Sequence, residues 1–263
     1  MGDLALVLRQ TYYGLLSTRR NPRAVVFALL FPIVFLFLFN SIFASSGNND
    51  NTVDVNGTTL DLNTYFTAGL IAYAIMLNCY STLIVSLTTQ RESGQLKRYR
   101  GTPVPSWTFI ASLVLRSVLL VAVMVVVMVA IGSAAYRVDI HGTAVVGLVV
   151  YAVLGTATMC AVGIAVSAFC PTPDAAGTIG PFSAVILSFI SGVFIPIDQI
   201  PQWLQEVGKV FPLYHLAAGL QVSFGTSSGT GLSANDVAVL ALWAIGGGVV
   251  AARNFRWEPQ ARG

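Results

Sequence analysis

The sequence predicts an all-α membrane protein with six transmembrane helices, an N-terminal amphipathic interface helix, and a re-entrant outer helical hairpin before the last span. Of its 263 residues, 55% are hydrophobic and only 10% are charged, whereas a soluble domain carries roughly 25% charged residues. A membrane-spanning helix needs about 20 mainly apolar residues. Six stretches meet this requirement and make one membrane domain over residues 1–263: 24–43, 66–88, 109–135, 143–169, 175–197 and 234–252.

The segment before the first span carries apolar residues at helical spacing. The pattern consists of Leu4, Val7, Leu8, Thr11, Tyr12, Leu15 and Leu16. It predicts an amphipathic helix that lies on the inner leaflet of the membrane. An ordinary helix packed beneath the bundle fits the pattern equally well, and Pro22 ends either one before the first span.

The positions of Lys and Arg predict that both termini are cytoplasmic. Lys and Arg accumulate in short cytoplasmic loops. Most of the 14 such residues precede the first span, lie between the second and third spans, or follow the sixth. This bias accounts for the net charge of +3 and the pI near 8.9, so we expect no nucleic acid as a partner.

A cytoplasmic loop at 89–106 concentrates charge between the second and third spans. Residues 90–99 can form a helix of about two to three turns. Glu92 would lie near its N-terminus, and Lys97 and Arg98 near its C-terminus, as the helix dipole favours. The loop is either a docking surface for a soluble partner or a solvated loop that contacts lipid phosphates, and charge order alone does not decide between them.

Apart from Asp236 at the start of the sixth span, Arg116 is the one charge inside a predicted span. A charge at the centre of a membrane helix costs roughly 2.5–3.5 kcal/mol on insertion scales. If the third span starts later, the side chain extends to the inner headgroups. Otherwise Arg116 lines a transport pathway, and the sequence leaves both interpretations open.

The region 198–233 is too apolar for a plain outer loop. Apolar residues recur at helical spacing from Ile200 to Phe211, and Pro212 interrupts them. The next run, 213–224, is apolar over only about 12 residues, a length typical of re-entrant or interfacial segments. We therefore predict a helical hairpin that returns into the outer half of the membrane.

The chain lacks the residues that several chemistries require. Of its 11 acidic residues only Asp236 falls inside a predicted span, at the outer start of the sixth, and none lies at mid-membrane depth. This argues against an ion-coupled transporter, although backbone carbonyls can also bind sodium. Gly208-Lys209 is followed by Val210 and does not complete a phosphate-binding loop. We expect no catalytic residues, no metal site and no cofactor in this chain, so the energy for any active transport must come from another polypeptide.

Three segments follow one another in a recognisable order. They are Arg91-Glu92-Ser93-Gly94-Gln95-Leu96-Lys97-Arg98-Tyr99-Arg100-Gly101-Thr102-Pro103, then Ser191-Gly192-Val193-Phe194-Ile195-Pro196 with Ile200-Pro201-Gln202-Trp203-Leu204, and finally Phe211-Pro212-Leu213-Tyr214-His215. Together with the six-span layout, they resemble the type-2 ABC exporter permeases, particularly the daunorubicin-resistance-type drug exporters of bacteria.

The resemblance implies that the charged loop is a coupling helix seated in a groove of a cytoplasmic ATPase. The candidate interface residues are Arg91, Glu92, Gly94, Lys97 and Arg98, together with Arg19 and Arg20 of the N-terminal helix. The active unit of that family has two permease chains, identical or different, and two ATPase subunits that bind ATP and Mg. We expect this assembly in the bacterial plasma membrane, surrounded by membrane lipids.

The resemblance also implies export of an amphiphilic drug or lipid along a pathway between the two permease chains. The candidate lining residues are Tyr73, Tyr80, Arg116, Phe182, Phe189 and Phe194. The aromatic residues among them fit a protein core or a lipid-facing surface as well. Export of a lipid-linked polysaccharide or teichoic acid is the alternative, and an ATP-independent secondary transporter or channel is a third hypothesis.

Overall fold

A computed structural model describes residues 2–20, 22–44, 52–138, 142–226 and 229–258. In these residues the chain forms eleven α-helices and one β-hairpin. In chain order they are α1 (Asp3–Arg19), α2 (Pro22–Ala44), β1 (Thr52–Val55), β2 (Thr58–Asp61), α3 (Leu62–Met76), α4 (Thr82–Glu92), α5 (Gln95–Arg100), α6 (Ser106–Tyr136), α7 (Ala144–Phe169), α8 (Pro173–Ile190), α9 (Gln202–Val210), α10 (Pro212–Gly225) and α11 (Ala234–Asn254).

Five helices of the described chain are long and apolar enough to cross a membrane. They are the continuous segment Leu62–Glu92, then α6, α7, α8 and α11. The first predicted span, 24–43, is also helical within α2, where Leu30–Ile42 forms a shorter apolar helix. The prediction of an all-α membrane protein is therefore confirmed, with five helices of spanning length rather than the predicted six in this part of the chain.

The segment Leu62–Glu92 lies at the centre of the bundle. Every residue from Tyr65 to Met76 in α3 is buried. A π-helical turn at Leu77–Ser81 joins α3 to α4, and such turns widen a helix locally by one residue. Gly163 of α7 packs directly on this turn, because a Cβ built there would lie 3.0 Å from the Cys79 carbonyl oxygen. The small residue thus permits close approach of the two backbones.

The helix α8 ends at Ile190, although the fifth span was predicted to continue to 197. Gly192 follows with a φ of 73°, a left-handed conformation that stops a helix. The Tyr65 hydroxyl donates a hydrogen bond to the Gly192 carbonyl oxygen. This bond fixes the turn against the central helix, so the helix ends earlier than hydropathy indicates, although Val193 and Phe194 remain buried.

The outer region after α8 forms two consecutive helices, as predicted for 198–233. The short helix α9 is amphipathic, and Pro212 is the first residue of α10, a position that proline favours. Most of α10 is buried, including its segment Leu216–Gln221, and it packs on α3 and α7. Helix α10 therefore belongs to the packed bundle, whereas α9 is largely exposed, and the re-entrant hairpin stays a prediction.

We predict that Gly163→Ala destabilises the fold, because its Cβ would meet the Cys79 carbonyl and the Tyr80 backbone at about 3.0 Å. Overpacking of this kind typically costs about 1–3 kcal/mol, and the melting temperature of the purified protein should fall. Gly177→Ala in α8 is the matched control, since no atom lies within 4 Å of its added Cβ. Equal melting temperatures for the two variants would contradict the assigned packing.

Candidate functional site

The charged loop does not form one continuous helix. The helix α4 continues through Glu92, a turn follows at Ser93 and Gly94, and α5 begins at Gln95. Gly94 has a φ of 71°, which other residues adopt only at a cost. The predicted helix over 90–99 is therefore wrong. Glu92 lies at the C-terminal end of α4, where the helix dipole does not favour a carboxylate.

Arg91 joins the inner end of α4 to the inner end of α7. Its Nη1 donates to the Ser167 carbonyl oxygen at 3.1 Å, and its Nη2 donates to the Cys170 carbonyl oxygen. Carbonyls at a helix C-terminus carry partial negative charge and lack helical partners. Arg91 is only 2% exposed. The sequence assigned it to a partner interface, but the structure places it inside the chain, where these carbonyls accept from its two terminal nitrogens while its buried Nε has no hydrogen-bond partner.

The thiol beside this contact remains neutral. Cys170 is buried, and burial raises the pKa of its thiol, although the positive charge of Arg91 acts in the opposite direction. A neutral thiol gives the guanidinium no counter-charge. The two carbonyl oxygens are therefore the groups that stabilise the buried charge of Arg91.

The helix α5 is fixed on one side and exposed on the other. Leu96 is buried, and the Tyr99 hydroxyl accepts a hydrogen bond of 2.8 Å from Gln10 Nε2 of α1. The Tyr99 ring also lies 4.9 Å from that of Phe109 in α6, centroid to centroid. The exposed side carries the basic residues Lys97, Arg98 and Arg100. A rigid, positively charged surface is the result.

The helix α1 shows both behaviours that its sequence allowed. Val7 and Thr11 are buried, and the Thr11 hydroxyl lies 3.5 Å from the Ser112 carbonyl oxygen of α6. One face thus packs beneath the bundle. Beside this face, the apolar residues Leu4, Leu8 and Tyr12 are exposed. Arg19 and Arg20 are exposed at the end of α1.

Arg116 contacts the N-terminal helix. A Cβ built on Gly14 of α1 would lie 2.9 Å from Cδ of Arg116. The arginine side chain therefore packs across α1 at Gly14, which has no side chain to block it. The residue is half-buried at this helix contact. This position favours the extension toward the inner face over a role in the pathway.

The predicted pathway aromatics occupy three different environments. Tyr73 and Phe194 are buried in the core, with ring centroids 4.9 Å apart. Tyr80 lies in the π-helical turn, and its hydroxyl is 2.9 Å from Ser183 Oγ of α8. Phe182 and Phe189 point outward from α8, at 66% and 45% exposure. Tyr73 and Phe194 thus match the core interpretation, whereas the α8 pair remains available to a pathway between chains.

A buried histidine and carboxylate, which sequence analysis did not connect, meet on the side that the sequence predicts to be the outer one. Nδ1 of His215 lies 2.7 Å from Oδ1 of Asp236, and their side chains are only 7% and 5% exposed. Nε2 of His215 lies 2.8 Å from the Lys209 carbonyl oxygen. The Ser233-x-x-Asp236 sequence gave one signal, since it matches a helix start and does begin α11, with the Ser233 hydroxyl as its cap.

The five apolar helices of spanning length are those of a multi-pass membrane protein. A family model described as "ABC-2 type transporter" matches residues 7–224. The chain belongs to this family.

Curated relatives are distant in sequence. The chain is 23% identical over 171 residues to the "Probable multidrug ABC transporter permease YbhR" of Escherichia coli strain K12, an alignment that covers 64% of this chain and 46% of the relative. It is 20% identical over 200 residues to the "Putative transport permease YvfS" of Bacillus subtilis strain 168, covering 76% of this chain and 78% of the relative. The chain thus spans about half the length of the first relative.

We predict that Arg91→Gln destabilises the protein by about 2–3 kcal/mol, because hydrogen bonds from a charged donor to two buried carbonyls are lost. Arg98→Gln is the matched control, since Arg98 is exposed on α5 and its loss should change stability by no more than about 0.5 kcal/mol. Thermal unfolding followed by tryptophan fluorescence measures both. A similar loss in the two variants would show that Arg91 does not join α4 to α7.

Proposed function

We propose that this chain is the transmembrane subunit of an ATP-driven exporter, a type-2 ABC exporter permease. A separate ATPase subunit supplies the energy, and an amphiphilic drug or lipid-like molecule is carried out across the bacterial plasma membrane. The exposed basic helix α5, held rigidly against α1 and α6, is the observation that carries this proposal. The family match over residues 7–224 and the name of the Escherichia coli relative support it.

The proposed coupling runs from α5 into the centre of the bundle. Only the turn at Gly94 separates α5 from α4, and α4 continues through the π-helical turn into α3. Arg91 adds a second connection, to the end of α7. A push on Lys97 or Arg98 would therefore move two central helices together. Glu92 and Gly94 serve this transmission at the junction, and Arg19 and Arg20 extend the positively charged surface.

The proposed assembly contains two permease chains and two ATPase subunits, with ATP and Mg bound only by the ATPases. Each permease chain contributes six spans, counting α2 as the first, a re-entrant outer hairpin formed by α9 and α10, and cytoplasmic termini. Few residues of α8 are buried in the single chain, and Phe182 and Phe189 are exposed. An apolar surface of this kind fits a contact with the second chain, so we place the pathway there.

Two other functions compete with drug or lipid export. A lipid-linked polysaccharide or teichoic acid exporter would use the same permease architecture with a wider pathway. An ATP-independent transporter or channel would need no partner at α5, whose fixed, exposed arrangement favours the ATP-driven alternative.

We predict that the double substitution Lys97→Glu, Arg98→Glu abolishes ATPase association, because it reverses the charge of the α5 surface where two groups approach the partner. Tagged permease is purified in mild detergent from its native membrane, and the bound ATPase is identified by mass spectrometry and quantified. Association should fall at least tenfold, while the melting temperature should remain unchanged.

The control for this experiment is Arg137→Glu, which changes an exposed residue at the C-terminal end of α6, on the predicted outer side. This variant should bind the ATPase as the wild type does. A wild-type chain that purifies alone would contradict the ATP-driven function. Unchanged association of the double variant would contradict only the role of α5.

A further inference from the structure

The hydrogen bonds of His215 fix the number of protons at its contact with Asp236. A backbone carbonyl can only accept, so Nε2 of His215 carries a hydrogen and donates to Lys209. Nδ1 and Oδ1 of Asp236 are 2.7 Å apart, a distance that requires a proton between them, since two lone pairs would repel. The pair is therefore an imidazolium with a carboxylate or an imidazole with a carboxylic acid. Both forms hold one shared proton and are neutral overall.

We propose that His215 and Asp236 form a proton-binding site on the outer side of the protein, and that loss of the shared proton opens the contact between α10 and α11. Proton binding at this place does not depend on the proposed export function. It makes the contact between α10 and α11 sensitive to the pH of the medium.

An outer cavity gives the proton a route to the pair. The cavity has a volume of about 860 Å³ and touches both His215 and Asp236. Polar residues line much of its wall, including Asn56, Thr230 and Asn235. Such a wall holds water, so protons can exchange with the medium although the pair itself is buried.

The charged and titratable side chains around His215 and Asp236 do not take the place of the shared proton. Lys209 directs its backbone carbonyl to His215, while its ammonium lies 2.8 Å from Glu206; this contact raises the pKa of Lys209. Tyr214 packs edge-on against the imidazole at 5.1 Å.

Tyr151 of α7 also lies near the carboxylate, and its hydroxyl accepts a hydrogen bond from the Ser233 amide. Among the described residues, no Lys or Arg forms an ion pair with Asp236. Without the shared proton, the buried carboxylate would therefore face an imidazole lone pair and no cation, which is unfavourable in a buried site.

The sign of the pH dependence follows from proton counting. Separated and exposed, a histidine loses its proton near pH 6.5 and an aspartate near pH 3.9. Above about pH 6.5 the open state thus holds one proton fewer than the joined pair, so opening becomes easier as pH rises. Between about pH 4 and 6.5 the two states hold equal numbers, and opening is independent of pH.

Hydrogen exchange of α10 and α11, measured on the whole protein in lipid nanodiscs from pH 6 to 9, tests the proposal. After correction for the intrinsic exchange rate, the opening constant of the wild type should rise by up to about tenfold per pH unit above pH 6.5. Asp236→Asn should abolish this dependence, because its side-chain amide donates to Nδ1 while Nε2 keeps its hydrogen.

The matched control is Asp198→Asn, which removes an exposed carboxylate from the same outer region and should leave the pH dependence intact. An opening constant of the wild type that does not change with pH overturns the proposal. So does a pH dependence that Asp236→Asn retains.

A spectroscopic measurement covers the case in which Asp236→Asn does not fold. The chain contains two histidines, so His141→Gln leaves His215 as the single label for nitrogen NMR. At pH 6, either protonation of both ring nitrogens or a carboxylic-acid band in the infrared spectrum supports the shared proton. A neutral imidazole beside an ionised carboxylate overturns it.

Discussion

Burial of the continuous segment Leu62–Glu92 is the constraint on which the other helices depend. A backbone crossing a bilayer must satisfy its polar groups internally, and this segment does so as a helix. Neighbouring elements surround it and bury 72% of its most apolar 18-residue stretch. Its two ends are bonded to other elements. At one end, Tyr65 donates a hydrogen bond to the turn after α8. At the other, Arg91 donates a hydrogen bond to the end of α7. Motion of this segment therefore cannot remain local.

The π-helical turn at Leu77–Ser81 is the place where the central segment can adapt. Gly163 contacts it from α7, and Gly180 from α8, where an added Cβ would lie 3.2 Å from the Ser81 carbonyl oxygen. Close contacts of backbone with backbone leave little room for sliding. Single π turns inside α-helices are rare and frequently lie at functional sites.

Hydropathy predicted most helices, because a stretch of apolar residues needs no tertiary information to be recognised. The helix break at Gly94 was missed, since glycine is tolerated within a helix and only its φ reveals the turn. Arg91 was misassigned because a loop of this length has no clear periodicity that separates a buried face from an exposed one. The contact of His215 with Asp236 depends on how α10 packs against α11, which local sequence does not specify. The core role of Tyr73 and Phe194 likewise follows from packing alone.

The two sides of the protein use different means to bury polar groups. On the predicted cytoplasmic side, Arg91 is always charged, and helix-end carbonyls must stabilise that charge permanently. On the outer side, His215 and Asp236 are neutral as a pair only while they share a proton. Breaking a buried charge contact by removing one partner is far more costly than exchanging a neutral pair with solvent. The inner contact is therefore suited to transmit force without opening, whereas the outer contact is suited to open and close.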